Sequence, residues 1–170
     1  QQGLPEDIIK FAEQTYKESL GLGKSLLSID ALMRMARALI RLYRFDKVFD
    51  IIKQGEELLK TLTQEVPTDY KQREANIAFL KGWFYDRIRD VDQALEHYER
   101  RLALREELGI KHEIAESLRQ VAWNLLLYKG EGDRALKYAE RGLALAKESS
   151  KKYYIADSLI VTAMIYSRKG

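Results

Sequence analysis

The chain has 170 residues, a net charge of +3 from 29 basic and 26 acidic residues, and no cysteine. The lack of cysteine excludes a disulfide framework, a thiolate metal site and a cysteine nucleophile. Basic residues are spread along the chain, which argues against a dedicated nucleic-acid-binding protein, and no apolar run approaches the roughly 20 residues of a membrane span. We therefore expect a cytoplasmic protein of ordinary domain size. Because the chain begins with Gln1, we also expect it to be a processed or excised piece of a longer protein.

Apolar residues recur at steps of three and four along most of the chain, which is typical of amphipathic helices. Pro5 and Pro67 stand where a helix can begin, because proline is tolerated in the first helical turn. Gly109 and Gly130 mark helix ends, since glycine readily adopts positive φ there. We predict eight helices with short turns between antiparallel neighbours: residues 5–21, 25–43, 46–65, 68–88, 91–108, 112–129, 132–149 and 152–169.

Alternate predicted helices carry a repeated pattern. The segment DQALEHYERRLAL at residues 92–104 aligns with DRALKYAERGLAL at residues 133–145, an offset of 41 residues (133 minus 92). Weaker copies begin at Asp46 and near Glu6. We also predict one extra residue in the turn at residues 130–133, which precedes the second of the two strong copies. A helix pair cannot bury its apolar stripe alone, and stacked pairs share one continuous core.

The segment GWFYDRIRDVDQALEHY, from Gly82 to Tyr98, resembles the signature of the tetratricopeptide repeat family. Gly82 and Ala94 stand at that family's small positions, and Tyr98 stands at a large one. The resemblance covers essentially the whole chain and implies an all-α, right-handed α-solenoid of antiparallel helix pairs. The spacing of 40 to 46 residues exceeds the family's usual period of about 34 and is similar to kinesin light chains, LGN-type polarity adaptors and bacterial peptide-sensing regulators. Arg101 departs from the family pattern, because helix B usually has alanine there.

We predict a single repeat domain over residues 1–170. The unpaired last helix would leave Leu159, Ala163 and Tyr166 without a partner. We therefore expect a fragment of a longer array, ends that close by self-association, or outer helices that act as caps. The expected parts are a helix B-like segment at 5–21, repeats at 25–65, 68–108 and 112–149, and a helix A-like segment at 152–169.

The sequence shows no catalytic or metal-binding constellation. His97 and His112 lie in different predicted helices, and there is no HExxH motif, phosphate-binding glycine loop or nucleophile elbow. The paired carboxylates Glu56-Glu57 and Glu106-Glu107 point about 100° apart on a helix, so they do not face each other. We predict no enzymatic activity, no cofactor and no metal.

The family resemblance implies a concave groove lined by the first helix of each repeat. Trp83 and Trp123 fall at the same place in successive repeats, and Arg34, Arg37 and Arg41 share one helical face. Aromatic rings supply apolar contact area and arginine binds carboxylates bidentately, so this set favours an acidic peptide. The alternative is that the tryptophans fill the core and the arginines are only solvated. The predicted partner-binding residues are Met33, Arg34, Arg37, Arg41, Phe79, Trp83, Arg87, Arg119, Trp123 and Met164.

The sequence therefore predicts a protein-interaction scaffold that binds a peptide or helix of a partner protein. The carboxylate clamp known in the family uses lysine and asparagine on helix A. Met33, Arg37, Phe79 and Trp83 occupy those places, so we do not expect a chaperone tail as the ligand. One alternative is a sensor or regulatory module of a multidomain signalling or transcription regulator. Another is an RNA-binding helical repeat, which the interspersed acidic residues disfavour.

Overall fold

A computed structural model describes residues 3–62 and 67–169. Over those residues the secondary structure is helical and contains no strand, which confirms the predicted all-α class. None of the described helices combines the length and apolarity that a membrane crossing requires. The helices are α1 (Gly3–Gly21), α2 (Ser25–Arg41), α3 (Val48–Thr61), α4 (Pro67–Arg87), α5 (Val91–Leu108), α6 (Lys111–Asn124), α7 (Gly132–Glu148) and α8 (Lys152–Lys169).

The helices divide into two compact units, Gln1–Arg89 and Asp90–Gly170. In the first unit, α2 is the central helix, because α1, α3 and α4 all pack against it. Helix α2 supplies more buried side chains than any other helix of this unit. The largest fully buried residues here are Ile29, Leu32, Leu39, Ile40, Val48, Ile52 and Leu80.

In the second unit, α6 is the central helix and packs against α5, α7 and α8. Leu118, Val121 and Leu125 carry its apolar stripe, and each is fully buried. Gly142 lets α7 approach α6 closely, because a Cβ at that position would lie 3.3 Å from both the Ala115 carbonyl oxygen and the Leu118 Cβ. The family-like residues Ala94 and Tyr98 are also buried in this unit, as their positions in the repeat signature predict.

Left-handed residues end most of the helices. Gly109 and Gly130 have φ values of 73° and 68°, so the helix ends predicted at these glycines are confirmed. The same conformation occurs at three residues that are not glycine: Tyr43 (φ 58°), Arg89 (φ 68°) and Ser150 (φ 56°). A side chain in this region costs roughly 1–2 kcal/mol, so these turns are held by their surroundings rather than by local preference.

The prediction that the extra residue lies in the turn at 130–133 is wrong. The left-handed residues Arg89 and Gly130 are 41 apart (130 minus 89), whereas the fully buried Ala75 and Ala115 are 40 apart (115 minus 75). The additional residue therefore lies before the turn. It is taken up by a π-helical turn, Leu125–Lys129, that continues α6, because a π-turn adds one residue to a helix.

Three other predicted helices differ from the structure by two residues or more at an end. The helix predicted at 5–21 begins at Gly3. The helix predicted at 46–65 begins at Val48, because Phe45 to Lys47 form a turn. It ends at Thr61, and residues 63–66 lie outside the described part. The helix predicted at 25–43 ends at Arg41, since the left-handed residue at position 43 cannot continue an α-helix.

Candidate functional site

A cavity of about 610 Å³ opens in the first unit, where α1, α2 and α4 meet. The α2 wall carries four of the predicted partner-binding residues, because their spacing of three and four places them on one helical face. The structure therefore brings these four together, as the sequence proposed. The lining residues are Pro5 and Ile8 from α1, Asp30, Met33, Arg34, Arg37, Ala38 and Arg41 from α2, and Asn76 and Leu80 from α4.

The cavity carries more positive than negative charge. Its one lining carboxylate, Asp30, accepts a hydrogen bond of 2.7 Å from Nη2 of Arg73, so its charge is already compensated. Arg34 and Arg41 are exposed, and neither has a hydrogen bond or ion pair to any part of the chain that the structure describes. Two guanidinium groups are thus available at the cavity for an anionic ligand.

A continuous row of arginine and aromatic side chains extends from the cavity along α4. The Arg37 guanidinium lies 5.3 Å from the ring centroid of Phe79, and Phe79 stacks on Trp83 at 5.8 Å with an interplanar angle of 28°. Arg87 lies 5.9 Å from the Trp83 ring and 5.6 Å from the Tyr43 ring. We call Arg37, Phe79, Trp83, Arg87 and Tyr43 the arginine–aromatic row.

Contacts with the core and a hydrogen bond hold the aromatic side chains of this row in place. Phe79 and Trp83 are partly buried and pack against the core of the first unit, so neither ring is simply exposed or simply core. At the far end of the row, Nη1 of Arg87 donates a hydrogen bond of 3.3 Å to the Tyr43 hydroxyl. Cation–π contacts between such groups contribute about 0.5–1 kcal/mol each at exposed sites.

Met33 forms part of the apolar floor of the cavity rather than an exposed contact. It is buried and packs beneath Gly55, where an added Cβ would lie 2.5 Å from the Met33 Cε. Sequence projection put Met33 on the ligand-facing side of α2. It did so because the residue stands between the core-facing and groove-facing parts of the helix surface.

The predicted site residues of the second unit have a different setting. Nε of Arg119 lies 3.7 Å from Oδ2 of Asp157, so the charge of this arginine is compensated within the unit. Trp123 and Met164 are partly buried. These three residues therefore do not present uncompensated guanidinium groups as Arg34 and Arg41 do in the first unit.

Buried arginines connect α5 to α6 in the second unit. Arg101 and Arg105 are 5% and 3% exposed. Arg101 donates to Glu116 at 3.1 Å and also to Gln120, and Arg105 lies 2.7 Å from Glu113. Burial lowers the pKa of Arg105, and the nearby Glu113 carboxylate partly opposes that shift. The departure from the family pattern at Arg101 thus corresponds to a buried ion pair between two helices.

Sequence reasoning missed several residues of the site, among them Pro5, Ile8 and Tyr43. Pro5 and Ile8 close the cavity from α1, which no pattern on α2 or α4 could indicate. Tyr43 lies in a turn, and its only sequence signal is an aromatic residue at a helix end, where the later repeat has Gly130. Within the described ranges, no three His, Asp or Glu side chains converge as metal ligands.

The fold is similar to that of known helical-repeat structures. It matches the crystal structure of BtubC (BKLC) from P. vanneervenii, a kinesin light chain-like protein, with a TM-score of 0.78 and 18% sequence identity. The match covers 97% of this chain but only 66% of that chain, slightly less than two thirds. No family model and no curated protein matches this sequence. The chain therefore has an all-α helical-repeat fold similar to that of tetratricopeptide repeats.

Proposed function

We propose that this chain is a non-catalytic protein-interaction scaffold that binds an acidic peptide or helix of a partner protein at the cavity between α1, α2 and α4. The observation that carries the proposal is the pair of arginines, Arg34 and Arg41, that border the cavity without any partner in the described chain. Guanidinium groups bind carboxylates bidentately, and these bonds are stronger than neutral hydrogen bonds.

The spacing of the two arginines suits an extended ligand rather than a single small anion. Seven residues of α-helix separate Arg34 from Arg41, so their backbones lie about 10 Å apart along the axis. A peptide that spans this distance can present two carboxylates to α2. The same peptide then continues over the arginine–aromatic row, where Phe79 and Trp83 offer apolar contact area.

Compensation of the other charges favours a protein ligand over RNA. Asp30 and Arg73 pair with each other in the first unit, and Arg119 pairs with Asp157 in the second. Arg73 and Arg119 are thus already paired with carboxylates, whereas binding to a nucleic-acid backbone draws on many unpaired basic groups along a continuous surface.

Fluorescence of Trp83 provides a direct binding test. Replacing Trp123 with phenylalanine leaves Trp83 as the single tryptophan, since the chain has two. We expect a short glutamate-rich peptide to change Trp83 emission with a Kd near micromolar, about −8 kcal/mol, and to bind more weakly as salt rises. Arg34→Glu and Arg41→Glu should each weaken binding by about 1–2 kcal/mol, which is roughly 5- to 30-fold, because each removes an attraction and adds a repulsion.

Two controls separate specific recognition from general charge attraction. Lys60→Glu makes the same change of net charge on the exposed surface of α3, away from the cavity lining, and should leave Kd within about twofold. The matching glutamine-rich peptide should bind at least tenfold more weakly. Equal weakening by Lys60→Glu, or equal binding of the glutamine peptide, would contradict the proposed acidic site.

A further inference from the structure

Arg44 follows the residues of the proposed binding site at the end of α2. Its backbone N–H donates a hydrogen bond of 3.0 Å to the Leu39 carbonyl, and the left-handed residue Tyr43 precedes it. This hydrogen bond folds the chain back onto the last turn of α2, as at other helix ends with a left-handed residue. Arg44 thus comes three residues after Arg41, which lines the cavity, and directly after Tyr43, which ends the arginine–aromatic row.

A carboxylate of the same chain occupies the Arg44 guanidinium. Nη1 of Arg44 lies 3.2 Å from each of the two carboxylate oxygens of Glu6. Glu6 belongs to the beginning of α1, and its neighbours Pro5 and Ile8 line the cavity. An arginine next to the cavity therefore already binds a carboxylate, which is the kind of contact that we propose for an acidic ligand.

The ion pair of Glu6 and Arg44 can exchange at little cost. The two side chains are 55% and 42% exposed, and exposed ion pairs add little stability. No side chain of residues 5–11 is buried, so the beginning of α1 packs less closely than the rest of the helix. The other end of α1 is held by a buried hydrogen bond of 2.7 Å between the hydroxyls of Ser19 and Ser28. Glu6 can therefore leave Arg44 while α1 stays attached to α2.

We propose that Arg44 is a third anion-binding residue of the site, and that a carboxylate of the acidic partner replaces Glu6 on it. This inference rests on the proposed function, because the incoming carboxylate belongs to the same acidic peptide. A peptide that contacts the two free arginines of α2 meets Arg44 next, where Glu6 competes with it. Removing the Glu6 carboxylate should therefore strengthen the binding of an acidic peptide.

Titration of Trp83 fluorescence with the glutamate-rich peptide tests this competition in the Trp123→Phe background. We expect Glu6→Gln to lower Kd about three- to fivefold, the upper part of the range that an exposed ion pair supplies. The matched control is Asp7→Asn, which makes the same change of charge at the next residue. Asp7 is exposed and has no ion pair to the described residues, so its Kd should stay within about 1.5-fold of the starting value.

A second background identifies the group that Glu6 occupies. In Arg44→Gln there is no guanidinium for the loss of the carboxylate to release. Adding Glu6→Gln to that background should therefore change Kd no more than Asp7→Asn does. All three positions are exposed, so the helical circular dichroism should be the same in every variant.

Three results would overturn this inference and leave the proposed function in place. In the first, the starting protein binds the peptide and Glu6→Gln binds it equally or more weakly. In the second, Glu6→Gln and Asp7→Asn tighten binding equally, which indicates general charge attraction. In the third, the gain from Glu6→Gln persists in the Arg44→Gln background. If neither the starting protein nor Glu6→Gln binds the peptide, both the inference and the proposed function are wrong.

Discussion

Replacing Glu113 with glutamine should destabilise the second unit by about 2–3 kcal/mol. The substitution removes the carboxylate that lies 2.7 Å from the Arg105 guanidinium, and the side chain of Arg105 is only 4% exposed. Breaking a buried pair by removing one partner costs about 3–5 kcal/mol, because an uncompensated charge remains. Glu113 itself is 20% exposed, and glutamine retains a carbonyl acceptor worth about 1 kcal/mol, so we expect the lower part of that range.

Removing the arginine should cost much less than removing the carboxylate. Arg105→Met takes the buried charge away and fills its place with an apolar chain, while Glu113 keeps access to water. We expect a loss of about 1 kcal/mol or less, and the double variant Arg105→Met with Glu113→Gln should resemble Arg105→Met. The coupling energy of the cycle should therefore be about 2 kcal/mol.

Urea unfolding followed by tryptophan fluorescence measures this effect in the second unit. In a Trp83→Phe background, the remaining Trp123 reports on the unit that contains the pair. A loss of 2–3 kcal/mol should lower the urea midpoint by about 1–2 M. The control is Glu148→Gln, which breaks the exposed pair of Lys111 and Glu148 at 2.9 Å and should cost less than about 0.5 kcal/mol. If the two glutamine variants unfold at the same urea concentration, burial does not govern the energy of the Arg105 pair and the reasoning is wrong.

Three further predictions concern the second unit. Ser150→Gly should stabilise it by about 0.5–1 kcal/mol in urea unfolding, because Ser150 has positive φ, whereas Ser149→Gly, at helical φ, should destabilise it. Gly142→Val should cost about 2–3 kcal/mol, since its side chain meets the Ala115 carbonyl and Leu118, while Gly132→Ala, with open space around it, should be tolerated. Burial, and then the charges of Glu116 and Glu113, raise the pKa of Tyr154, so the stability linked to it is intact below about pH 10 and is lost as pH rises through the folded pKa. In an alkaline absorbance titration, Tyr154→Phe should remove one of the tyrosines that ionise above about pH 10, and a variant with an unchanged titration above that pH would contradict this assignment.

Local rules predicted the helices and several of their ends well. Periodicity gave all eight helical segments, and Gly109 and Gly130 end helices through the positive φ that glycine favours. The same rules could not find Tyr43 or Arg89 as left-handed residues, because no intrinsic preference places a large side chain there.

The sequence predicts only the part of the candidate site that lies on a single helix face. The spacing of Arg34, Arg37 and Arg41 places them together without any tertiary information. That Arg34 and Arg41 lack partners in the described chain could not be read from the sequence, since Asp30 of the same helix pairs with Arg73, a residue 43 positions away. Likewise, nothing local to α5 indicates that Arg101 is buried, because its carboxylate partner belongs to α6.

The π-turn at Leu125–Lys129 shows how this protein tolerates a change in repeat length. The extra residue is held inside α6, so the following turn still closes on a left-handed Gly130 and α7 begins in phase with the earlier repeat. The π-turn also contacts α8, since the Leu126 carbonyl accepts a hydrogen bond of 3.3 Å from Arg168. Single-residue insertions can thus accumulate within helices while the contacts between helices are preserved. Alignment methods that assume a fixed period would lose register at such a position, although the three-dimensional repeat continues through it.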